Sequence, residues 1–100
     1  MVRELPIKKG LVFWLPCKVK GGPFPNERRV YVQTGISEWF GFVSVDELER
    51  KTNEGLDRVR AVVLGVTPDH VIVGIRGQSP ASGAVQAERS LIRDNAAIQA

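Results

Sequence analysis

Twice in its 100 residues the chain writes the same order of phrases. A V-x-V pair (Val30 and Val32, later Val71 and Val73) leads to a turn. A G-x-V stretch follows (Gly41 to Val43, later Gly83 to Val85), then an acid (Asp46, later Glu88) and a leucine (Leu48, later Leu91). The two glycines stand 42 positions apart. A recurrence of that length suggests an internal repeat, residues 10–53 and 56–98, within one domain spanning 1–100. Alternation with period two is the pattern of a strand with one buried face. Three such strands expose an apolar face that they do not bury alone. Two three-stranded units must therefore pack together. The expected fold is mainly β: a small six-stranded barrel or sandwich built from two β-β-β-(α) units, with a pseudo-two-fold axis. An α+β layer with both helices on one sheet face is the alternative.

The segments follow from local signals. Leu11 to Leu15 is continuously apolar and rich in β-formers, and Pro16 then demands a bulge, a bend or an edge. G-G-P-F-P-N at 21–26 is a loop by composition. Strands are predicted at 28–33 and 38–43, with Gly41 at a bulge or a close backbone approach. S-V-D-E at 44–47 has the form of a capping box, so a short helix is predicted from Val45 to Asn53, with Gly55 as its stop. The second half offers strands at 57–66, 70–76 and 84–87, a tight T-P-D-H turn at 67–70, and helical character after Glu88.

Chemistry is sparsely signalled, and no catalytic residue is assigned. His70 is the only histidine and Cys17 the only cysteine, so neither has company at metal-ligand spacing, and no intrachain disulfide can form. No phosphate-cradling glycine motif or nucleophile elbow is present. Asp46, Glu47 and Glu49 are explained by capping and surface solvation. No metal or cofactor is expected. No apolar run reaches the ~20 residues of a membrane span, and the N-terminus lacks a signal-peptide pattern, so a cytoplasmic protein is expected.

Binding is better signalled. Six basic residues and one acid lie between Lys8 and Arg29, a local charge of +5 in a chain of net charge +3. All seven aromatic residues fall between Phe13 and Phe42. Rings interleaved with cations serve bases and phosphates together. The leading expectation is a non-enzymatic binding module for an anionic partner such as nucleic acid, through Lys18, Lys20, Arg28 and Arg29. Trp14, Phe24 and Trp39 are the aromatic contact candidates, Phe24 on a loop stiffened by Pro23 and Pro25. Leu91, Ile92 and Ile98 form a candidate docking stripe for a partner chain, and a homo-oligomer, with a dimer preferred, is expected. One alternative is a small-molecule carrier or small enzyme with its site in a barrel mouth or at a subunit interface. Another is a protein–protein assembly or regulatory module.

One further likeness rests on G-A-V-Q-A at 83–87 and D-R-V-R at 57–60. This pair is faintly similar to the plasmid-borne type II dihydrofolate reductases, small SH3-like barrels that use a V-Q-I-Y strand. Val85 and Gln86 match that strand, whereas Ala87 and Glu88 stand where the family has Ile and Tyr. The family is not assigned on this match.

Overall fold

The computed structural model describes residues 6–76 and 83–95. Six antiparallel strands run in chain order: β1 (Val12–Gly21), β2 (Glu27–Gln33), β3 (Glu38–Ser44), β4 (Gly55–Val66), β5 (Val71–Ile75) and β6 (Gly83–Ala87). A short helix, α1 (Arg89–Asn95), closes the described chain. The strands form one sheet in the order β3-β2-β1-β4-β5-β6, curled into a nearly closed barrel. Each half is a three-stranded meander, and the order reads the same from either end. The antiparallel β1–β4 pair lies at its centre, with Leu15 opposite Val59.

The alternation read from the sequence decides which side chains enter the barrel. Phe13, Leu15, Cys17 and Val19 point inward from β1, Val30 and Val32 from β2, and Val43 from β3. Val59, Ala61 and Val63 enter from β4, Val71, Val73 and Ile75 from β5, and Val85 and Ala87 from β6. Each fully buried Val, Leu, Ile or Phe contributes roughly 1.5–3 kcal/mol relative to exposure. The interior is thus filled by side chains, and the barrel is held by packing.

Closure depends on Trp39. Its indole lies against Gly83 of β6 on one side and against Gly41 of its own strand on the other, where a Cβ would collide with the ring. These are the two glycines of the repeated phrase. Gly41 therefore marks a close approach to a ring. The β2–β3 register runs through it unbroken, with Val30 opposite Gly41. The Thr34 hydroxyl donates to the Gln86 carbonyl at 2.6 Å and fastens the same seam.

Pro16 takes an edge position on its β2 side, while its pairing with Arg58 of β4 runs on unbroken. It offers no N–H, and the β1–β2 ladder stops at Lys18↔Tyr31, two residues short of it. The register irregularity of the sheet lies in β4, between Val63 and Gly65 opposite β5.

One expectation is corrected. The segment after β3 is a single 3-10 turn, Val45–Glu47, in place of a helix to Asn53. Ser44 Oγ accepts from the N–H of Asp46 at 3.3 Å, one residue earlier than a capping box requires. Tertiary pairing overrides the helical signal. Leu48 is extended and bridges Val59, and the following loop wraps the Asp57 carboxylate. Gly55 opens β4 instead of stopping a helix, at φ 114°. α1 agrees with the helical reading of the tail. Its Arg89 guanidinium donates to the Thr67 and Pro68 carbonyls and ties the helix to the β4–β5 turn. No helix among the described residues is long and apolar enough to cross a membrane.

Candidate nucleic-acid interface

Register places the sequence-singled residues on different sides of the barrel wall. On the outer face of β1, β2 and β3, side chains line up in rows across the strands. Lys20, Arg29 and Phe42 form one row, since Lys20 pairs with Arg29 and Arg29 with Phe42. Lys18, Tyr31 and Phe40 form the next. Gln33 and Glu38 form a third on β2 and β3, beyond the end of the β1–β2 ladder. Formal charge therefore falls across this face from +2 through +1 to −1.

The first two rows enclose a groove of about 400 Å³ lined by Lys18, Lys20, Arg29, Tyr31 and Phe40. Phe40 is 61% exposed. Phe42 meets it edge-on, with ring centroids 6.5 Å apart at 63°. With Tyr31 they make a contiguous ring patch, and contiguous exposed apolar patches mark interaction sites. Among the described residues no carboxylate pairs with Lys18, Lys20 or Arg29. Arg29 Nε donates to the Gly21 carbonyl at 3.0 Å, which orients its guanidinium over the face. Hydrogen bonding to Glu38 first, then burial and the Glu38 charge, push the Tyr31 phenol up from an ordinary value that already leaves it neutral near pH 7. A neutral ring at the groove floor presents no negative charge to an anion.

Arg28 is one position from Arg29 and on the opposite side of the wall. It is 9% exposed, and its guanidinium donates to the carbonyls of Thr52, Pro25 and Glu27 and to Asn53 Oδ1. That end of the barrel is sealed by Arg28 and by Asp57, which both bond the backbone of Thr52. Asp57 accepts the backbone N–H groups of Arg50 at 3.1 Å, Thr52 at 3.0 Å and Arg58 at 2.7 Å. Burial pushes the Asp57 carboxyl up, and the N–H donors outweigh it, so the net shift is below the ordinary carboxylate value.

The aromatic candidates also separate. Phe24 is exposed at the tip of the β1–β2 loop, beyond the Lys20–Arg29 row. Trp14 faces outward, but the Arg60 guanidinium sits over its ring at 5.6 Å. Trp39 is the seam residue. Tyr31, Phe40 and Phe42 are the rings that share the face with the lysines, and sequence reasoning did not select them. The signal was present: with Lys18 and Lys20 outward, antiparallel pairing puts every second residue of β2 and β3 on the same face. Of the proposed docking stripe, Ile92 is fully buried in the core and Leu91 packs against it, while Ile98 lies outside the described residues.

Cys17 is buried against Asp57, and burial first and that carboxylate second push its thiol up to about 12. A thiol held protonated is a poor nucleophile. No group of three His, Cys, Asp or Glu side chains among the described residues could hold a metal ion. Comparisons with protein-family models, curated proteins and solved structures give no match.

Proposed function

We propose that the protein is a non-catalytic nucleic-acid-binding module whose working surface is the outer face of β1, β2 and β3. The observation that carries this reading is the pair of cross-strand rows, Lys20–Arg29–Phe42 and Lys18–Tyr31–Phe40. Each row sets cationic groups beside an aromatic ring, so phosphates meet charge while bases meet π-faces. Charge alone would not favour this surface. Arg58 and Arg60 on β4 are cationic too, but Arg58 is held by Glu49 at 2.7 Å and Arg60 lies 4.0 Å from Glu47. Cations already neutralised release few counterions on contact with phosphate.

The test is a titration of labelled oligonucleotides at low and moderate salt, for wild type and for the K18A/K20A/R29A variant. The reading expects affinity to fall steeply with salt, and the slope to drop by about 2–3 in the variant. Equal affinity and equal slope for the two proteins would refute it.

Self-association is a second reading, favoured by a different surface. Leu64 is exposed on the outer side of β4, over Gly74 and beside the half-buried Ile72 of β5. A concentration-dependent mass in analytical ultracentrifugation that Leu64→Asp abolishes would support it, and a constant monomer mass would end it.

A further inference from the structure

We infer that the nucleic acid this face takes is single-stranded, with one base stacked on Phe40 and its phosphates lying toward the Lys20–Arg29 end. This rests on the nucleic-acid reading above and narrows it. Three features of the face carry it.

The first is the groove. About 400 Å³ bounded by Phe40 on one side and by Lys18, Lys20 and Arg29 on the other is the scale of a small-ligand pocket, enough for a single nucleotide. A duplex shows no base face to such a groove, because its bases are stacked and paired.

The second is the arrangement of the rings. Phe42 meets Phe40 edge-on at 63° and does not line the groove, so the π-face open to a ligand is that of Phe40. A base stacks on that face only when turned out of its own stack, which a single strand permits and a duplex resists.

The third is the charge gradient. Lys20 and Arg29 occupy one end of the face and Glu38 the other. Phosphate is drawn to the first and repelled by the second, so the strand lies with a fixed offset. Exposed Phe24 stands beyond the basic end, where the chain of an extended strand would continue.

The experiment compares a fluorescein-labelled oligothymidylate of about 15 nucleotides with a duplex of the same length, by anisotropy at fixed salt. Wild type, F40A, E38Q and K18A/K20A/R29A are measured, with thermal melts to confirm that each is folded. The inference expects the single strand to bind about 10-fold or more tightly than the duplex. F40A should remove that preference and leave the salt slope intact, since it takes away stacking and no charge. E38Q should tighten single-strand binding by about 2-fold, the scale of one exposed charge. Equal binding of both forms, unchanged by F40A but weakened by K18A/K20A/R29A, would overturn the single-strand inference and leave the nucleic-acid reading standing. Indifference of both forms to K18A/K20A/R29A, or no binding to either, would overturn both.

Discussion

The two meanders of this barrel have one architecture and two different outer faces. β1, β2 and β3 show Lys18, Lys20 and Arg29 without acidic partners among the described residues, next to Tyr31, Phe40 and Phe42. β4, β5 and β6 show Val62, Leu64, Ile72 and Ala84, and their cations at Arg58 and Arg60 are held by Glu49 and Glu47. Inside, the contrast nearly vanishes, because both meanders send mostly valines into the core. The lesson is that the interior of each strand answers to packing, while the exterior is free to carry a task. An unpaired cation beside an exposed ring adds little to folding, so its presence calls for another explanation.

The contrast breaks most completely if the seam fails, since both faces depend on the barrel. Trp39→Ala removes the ring that fills the gap between Gly41 and Gly83 and should cost about 3 kcal/mol, read as a lower denaturant midpoint. Gly83→Val should destabilise by about 1–3 kcal/mol, because its side chain would enter the space of the indole. Undiminished stability in both would mean that the seam is not closed by Trp39.

A sharper cut separates adjacent arginines. Arg28→Ala should lower stability by about 2 kcal/mol, leaving carbonyls and Asn53 at the sealed end without their donor, and should leave the salt slope of binding alone. Arg29→Ala should do the reverse: stability within about 0.5 kcal/mol of wild type, and a slope reduced by about 1. Similar behaviour of the two variants would erase the distinction between wall and face.

Asp57 belongs to the same sealed end and gives it a pH signature. Its folded pKa is lowered, so its contribution is present above the unfolded carboxyl value of 3.8 and is lost as pH falls through the folded value. Asp57→Asn should therefore cost about 1–3 kcal/mol at neutral pH, and chemical denaturation should show the gap to wild type closing in acid. The smallest effect expected is at Cys17. With its thiol pushed up to about 12 and buried, it should resist alkylation at pH 8 in the native protein and react once unfolded.

Strand positions were readable because burial imposes a period of two, and residues such as Val30, Val32, Val71 and Val73 obey it. The loop after β3 was not, because S-V-D-E satisfies a local rule that Leu48 and Asp57 override from elsewhere in the chain. The candidate face was half readable. Lys18, Lys20 and Arg29 stood out by charge, but Arg28 carries the same charge and serves the interior. Alternation tells the two arginines apart, since Arg28 has the parity of Val30 and Val32 and Arg29 the opposite one, and register brings Phe40 and Phe42 to the lysines.

The most direct test of the central claim is an amide chemical-shift map of the ¹⁵N-labelled protein titrated with a short oligothymidylate. The account predicts shifts at Lys18, Lys20, Arg29, Tyr31, Phe40 and Phe42, with β5 and β6 still. Shifts centred on β4 to β6, or none at all at low salt, would contradict it.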